Sequence, residues 1–146
     1  MLQDSIILTG ALKIVLTDAQ GNIKDEQEVK NLVVTVGKNF IASRMKDATA
    51  TAMSHMAIGT GTTAAAVGDT TLGTEVGRVA LTSTTVTTNN VAYVATFPAG
   101  TGTGAITEAG ILNAASAGTL LCRTVFSVIN KGAADTLGIT WTVTVN

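Results

Sequence analysis

The last ten residues alternate without a break: Leu137, Ile139, Trp141, Val143 and Val145 fall on one side, and Gly138, Thr140, Thr142, Thr144 and Asn146 on the other. A period of two is the side-chain repeat of a β-strand, so this segment has one face built for a core and one that is wet or interfacial. The chain must then supply partner strands and a second layer to cover the apolar face. Trp141, the only tryptophan, stands at the centre of the alternation and is expected to anchor the core rather than to stack on a ligand.

The rest of the chain supplies such partners. Leu120 to Ile129 is apolar on both faces, as in a central strand or one facing a neighbouring subunit. Arg78 to Thr88 and Val91 to Phe97 are expected to form a hairpin turning at Asn89-Asn90, because asparagine tolerates the positive φ of a tight turn. Leu12 to Thr17 and Ile23 to Val34 form a second hairpin around Asp18 to Asn22, with Lys24, Asp25, Glu26, Glu28 and Lys30 marking its returning arm as an exposed edge. Threonine, the commonest residue with 26 copies, favours pleated half-buried surfaces, and 15 glycines supply turns.

One segment departs from the pattern. Val36, Phe40, Ile41 and Met45 recur at helical spacing, Thr35 is placed to cap the N-terminus, and Arg44 and Lys46 suit the C-terminal end. A helix of about three turns over residues 36–46 is predicted, its Phe40 and Ile41 side packing over a sheet. Gly59 to Thr74 and Pro98 to Gly104 read as loops, with a helical turn near Asp69 to Leu72. The fold class expected is mainly β: a β-sandwich or jelly-roll-like single domain over residues 1–146, with residues 1–8 as an extended N-terminal arm.

Composition narrows function. Nine basic and ten acidic side chains give no electrostatic footprint for nucleic acid or an anionic membrane. No apolar run approaches the roughly 20 residues that cross a bilayer, and the N-terminus lacks the basic and apolar regions of a signal peptide, so a soluble protein made in the cytoplasm is expected. Single Cys122 cannot form an intrachain disulfide. With 13% charged residues, about half the usual share, much of the surface is expected to contact other subunits.

Each residue group that could carry chemistry has a plainer structural reading. Gly59-Thr-Gly61-Thr-Thr-Ala64 spells a G-x-G-x-x-A dinucleotide fingerprint, but the glycine-broken stretch from Ala65 to Thr74 cannot form the helix whose N-terminus would hold a pyrophosphate. The loop is expected to be structural or interfacial, and no cofactor or small-molecule substrate is implied. His55, the only histidine, and Cys122 make neither a zinc set nor a convincing nucleophile dyad, so no metal or catalytic residue is assigned. Glu75 and Glu108 each follow a Gly-Thr loop. Ion pairing with Arg78 or Arg123, within the fold or across a subunit boundary, is expected in preference to a paired-carboxylate hydrolase.

Six stretches taken in order carry a resemblance: Asn31-Leu-Val-Val-Thr-Val-Gly-Lys-Asn-Phe-Ile-Ala-Ser-Arg-Met45, Met56-Ala-Ile-Gly-Thr-Gly-Thr-Thr63, Leu72-Gly-Thr-Glu75-Val-Gly-Arg78, Ile106-Thr-Glu-Ala-Gly-Ile-Leu-Asn113, Gly118-Thr-Leu-Leu-Cys-Arg123 and Ile139-Thr-Trp-Thr-Val143. From about Leu12 onward the chain resembles small virion accessory proteins of tailed bacteriophages, described as capsid decoration or cement proteins and also as tail or fibre components. The resemblance implies a β-rich homo-oligomer, a trimer in cement proteins, that binds the major capsid protein on the outside of the shell and stabilises contacts between capsomers. Its alternative is a tail, baseplate or fibre-attachment protein. The expected assembly surface comprises Ile6, Ile7 and Leu8 of the arm, Gly59, Thr60, Gly61 and Thr62 of the first loop, Gly102 of the second, and the charged residues Glu75, Arg78, Glu108 and Arg123.

Overall fold

The computed structural model describes residues 4–46 and 50–146. Ten strands and one helix follow in the order β1 (Leu8–Thr17), β2 (Ile23–Lys30), β3 (Leu32–Val33), α1 (Thr35–Met45), β4 (His55–Gly59), β5 (Glu75–Ala80), β6 (Ser83–Thr87), β7 (Asn90–Phe97), β8 (Gly104–Leu112), β9 (Leu120–Lys131) and β10 (Thr136–Val145). They form two antiparallel five-stranded sheets. Sheet A runs β2-β1-β10-β7-β6 and sheet B runs β3-β9-β8-β4-β5. The mainly β, sandwich-like fold with one short helix is as the alternation required.

The core lies between the sheets. Leu12, Ile14 and Leu16 of β1 and Ile139 and Trp141 of β10 meet Met56, Ile58, Ile106, Ile111 and Ile129 of sheet B, all at most 2% exposed. Register puts these side chains in rows: Leu12 opposes Trp141, which opposes Tyr93. Burial pushes the Tyr93 phenol up to about 12.

Two expected arms are each divided between the sheets. Ile23 to Val34 breaks at Asn31: β2 stays at the charged edge of sheet A, while β3 pairs with β9 in sheet B. Arg78 to Thr88 likewise breaks at Leu81 and Thr82, leaving β5 in sheet B and β6 in sheet A. The hairpin turn falls at Thr88 and Asn89, one residue earlier than expected, and Thr88 itself takes the positive φ of 50°.

Helix α1 starts and ends one residue earlier than expected: Val34 rather than Thr35 is its N-cap, and no side chain caps it. The Thr35 N–H donates instead to the Val67 carbonyl at 2.8 Å, so loop backbone satisfies an end group that a side chain was expected to serve. Gly37 lets the helix lie close on sheet B, because a Cβ there would collide with the Leu121 carbonyl of β9. No helical turn forms at Asp69 to Leu72; Asp69 closes a turn with Ala66, donating its N–H to the Ala66 carbonyl and accepting the Ala66 N–H.

Of the expected arm, residues 1–3 lie outside the described residues. Ile7 exchanges backbone hydrogen bonds with Asn146 at 3.1 and 2.8 Å, and Leu8 opposes Val145, so both already belong to their own sheet A. What they leave exposed is side chain: Ile6 is 73% and Ile7 58% accessible.

Candidate functional site

The expected ion pairing forms within the fold, as Glu75 with Arg78 and Glu108 with Arg123, and both pairs lie on the outer face of sheet B, away from the sandwich core. Across that face one row runs Arg78, Ala57, Gly110, Arg123 and the next Glu75, Gly59, Glu108, Val125. Small residues in the middle leave a shallow floor. The Gly59 to Thr74 loop folds onto it, with Leu72 buried beside Ala57, Leu112 and Leu120. A Cβ on Gly110 would lie 2.6 Å from the Leu72 side chain, so this glycine makes room for the loop.

Glu108 fastens that loop. Its Oε1 accepts the N–H groups of Gly61 at 2.9 Å and Thr74 at 2.7 Å, and its Oε2 accepts the Gly73 N–H at 2.8 Å and Arg123 Nε at 2.9 Å. Arg123 extends the network outward, donating to Asp69 Oδ2 at 2.8 Å and to the Thr63 carbonyl at 2.9 Å. Thr107 Oγ1 adds a bond to the Gly61 carbonyl. Glu108 is fully buried and Arg123 is 2% exposed, so the pair is shielded from water and from salt.

Burial by itself would raise the Glu108 pKa. The Thr74, Gly73 and Gly61 N–H donors and the Arg123 guanidinium outweigh it and hold the carboxyl below its ordinary value. Asp69 follows the same logic: burial opposes ionisation, and the Ala66 N–H and Arg123 prevail. Burial likewise opposes the charge on Arg123, but Asp69 and Glu108 raise its pKa. The network is therefore ionised at neutral pH.

The fingerprint-like glycines are explained by the same carboxylate. A Cβ on Gly61 would sit 2.5 Å from Glu108 Oε1, and one on Gly59 would strike both the Thr74 carbonyl and that oxygen. The backbone approaches an anion closely, as in a phosphate loop, but the anion is a side chain of the same chain. Gly102, at φ 66°, is similarly buried against Ile58 of β4. Gly59, Gly102, Glu108 and Arg123 thus have internal roles and present no surface to a partner. Thr60 and Gly61 are half-buried and Thr62 is exposed.

Glu75 and Arg78 make a bidentate pair, with Nε to Oε2 at 2.8 Å and Nη2 to Oε1 at 2.6 Å. Arg78 Nη1 also reaches the Ala114 and Ala117 carbonyls, clamping the loop between β8 and β9. Asp69 was missed as the third member of the buried network. It is the only carboxylate in the loop, and that isolation was the available signal.

His55 and Cys122 do not meet. Cys122 points into the core beside Ile111, where burial pushes its thiol far up; His55, on the opposite face, bonds the Ser54 hydroxyl at 2.8 Å. Among the described residues no three His, Cys, Asp or Glu side chains converge to hold a metal, and no helix is long and apolar enough to cross a membrane.

The exposed surface has two other notable regions. The outer face of sheet A carries small uncharged residues over β10, β7 and β6, among them Thr140, Thr142, Thr144, Ala92, Thr85 and Thr87, and becomes charged toward β1 and β2, where Lys13, Glu26, Glu28 and Lys30 share it with Thr9 and Ala11. At one end of the sandwich Ile6, Ile7 and Leu8 line an open, mainly apolar groove with Lys38, Ile41, Ala42 and Met45 of α1, and Met45 is 84% exposed. No family model, curated protein or solved structure matches this chain.

Proposed function

We propose that the protein is a structural component of a phage particle, binding the outside of the capsid as a cement protein and stabilising contacts between capsomers. The observation that carries this reading is where the polar chemistry points. Glu108, Arg123 and Asp69 spend their hydrogen bonds on the chain's own loop, while the groove of Ile6, Ile7, Leu8, Ile41 and Met45 is left open at the surface. Such a molecule offers contact area rather than a reactive pocket. The resemblance of the motif order to phage accessory proteins points the same way.

The mechanism is mechanical. Trimers seated on the major capsid protein would bury the groove and adjoining threonine-rich surface only in the assembled shell, stabilising it by linkage. Purified chain is to be mixed with shells lacking it, and bound copies counted against the major capsid protein. Saturation at a fixed ratio, with a higher shell disruption temperature, is expected; failure to bind shells at saturating chain sinks the proposal. Binding to tails at a few copies per particle would favour the tail or baseplate alternative.

A further inference from the structure

We infer that the free edge of β6 is a pairing site for the β6 edge of a second copy of this chain, joining two sheets A across a two-fold axis. Sheet A has two edges treated in opposite ways. Strand β2 carries Lys24, Asp25, Glu26, Glu28 and Lys30, the charges that keep an edge from templating another strand. Strand β6, Ser83-Thr-Thr-Val-Thr87, carries none, and all five residues are exposed. No charged side chain occurs anywhere between Arg78 and Glu108, so none reaches back to guard it.

A second observation concerns Val86. It opposes Val91, which opposes Val143, and both of those pack against the core, so Val86 stands in a core-facing row. Yet it is 71% exposed, the apolar end of a row that no described residue continues. An added strand would continue the row.

The occupant follows from register and charge. The two-residue turn at Thr88 and Asn89 makes Thr87–Asn90, and hence Thr85–Ala92, the hydrogen-bonded pairs of the hairpin. The N–H and carbonyl groups of Thr84 and Val86 therefore point outward. An antiparallel copy centred on Thr85 pairs Thr84 with Val86 twice, satisfying all four outward groups. It sets Val86 against a threonine methyl in the core-facing row and Thr85 against its own copy on the outer face. No charge meets a like charge. The same self-pairing on β2, centred on Gln27, would set Glu26 opposite Glu28 twice, a like-charge conflict.

The contact is independent of where in a particle the chain sits, so its test is made on the purified full chain in solution. Thr85→Lys places two lysines face to face at the axis and should halve the mass measured by sedimentation equilibrium, with the circular-dichroism spectrum of the folded chain unchanged. Thr85→Cys should cross-link to itself, because a non-hydrogen-bonded pair brings Cα atoms to about 4.5 Å. Buried Cys122 does not compete. Cross-linking about tenfold faster than for Thr87→Cys, which faces Ser83 rather than itself, is the expected result. Equal mass for wild type and Thr85→Lys, or equal cross-linking rates for the two cysteine variants, overturns the inference.

Discussion

Arg123 Nε donates to Glu108 Oε2 at 2.9 Å, and both side chains are buried beneath a loop that sends three of its own N–H groups to the same carboxylate. The pair is less a bond between two strands than a fixture for the loop. A buried ion pair repays its desolvation only when its remaining valences are filled, and here backbone donors fill them.

Glu108→Gln should therefore destabilise the fold by about 3 kcal/mol, since it leaves Arg123 with Asp69 as its one carboxylate partner and turns an amide N–H₂ toward N–H donors. Urea midpoints measure it. A double-mutant cycle with Arg123→Met should give a coupling of at least about 1 kcal/mol, the double variant being less damaged than the sum of the singles. Additive losses would mean that the two side chains act separately.

The pH dependence has a definite sign. Glu108 and Asp69 both have folded pKa values below their ordinary ones, so the stability they contribute is present above the unfolded values and is lost as pH falls through the folded ones. Stability should fall below about pH 4.5, near the unfolded carboxylate values. Glu108→Gln should flatten that acid limb relative to wild type. An unchanged slope would assign the acid sensitivity to other carboxylates.

Two glycines of one loop should respond oppositely to alanine. Gly61→Ala drives a methyl into Glu108 Oε1 and should cost about 2 kcal/mol or more. Gly68 has nothing within 4 Å of its notional Cβ and no positive φ, so Gly68→Ala should be neutral or add up to about 1 kcal/mol. Thermal unfolding of the two variants separates an internal role for Gly61 from an interfacial one, which would leave both melting temperatures unchanged.

Thr88 is a β-branched residue at φ 50°, where glycine is favoured. Thr88→Gly should gain about 0.5 kcal/mol, the relief of the left-handed conformation exceeding the added flexibility of the unfolded chain. A lower melting temperature would place the residue's value in a contact rather than in its backbone.

The sequence was most legible where structure is local. The alternation through Trp141 marks β10, and the spacing of Phe40 and Ile41 marks α1, because each period is written within a dozen residues. Glu75, Arg78, Glu108 and Arg123 were legible as charges flanked by apolar sequence, but which carboxylate meets which guanidinium was not. Strand breaks at Asn31 and Leu81-Thr82 were not, since no glycine or proline marks the crossing between sheets and the apolar pattern runs through it. The Gly59 to Thr74 loop looked like surface because its fastening residue is 47 positions from Gly61. A short-range pattern cannot reveal that a glycine is reserved for a distant carboxylate.

Ile6 and Met45 offer the sharpest separation of fold from assembly. Both belong to the open groove and are 73% and 84% exposed, so Ile6→Ser with Met45→Ser should change stability by no more than about 0.5 kcal/mol. The same pair should lower occupancy on shells, because apolar area at the proposed contact would be replaced by hydroxyls that gain little from leaving water. Counting bound copies per shell at matched chain concentration checks it, alongside urea unfolding of the free protein. Undiminished occupancy would move the contact to the threonine-rich face of sheet A; reduced occupancy with unchanged unfolding would fix it at the groove.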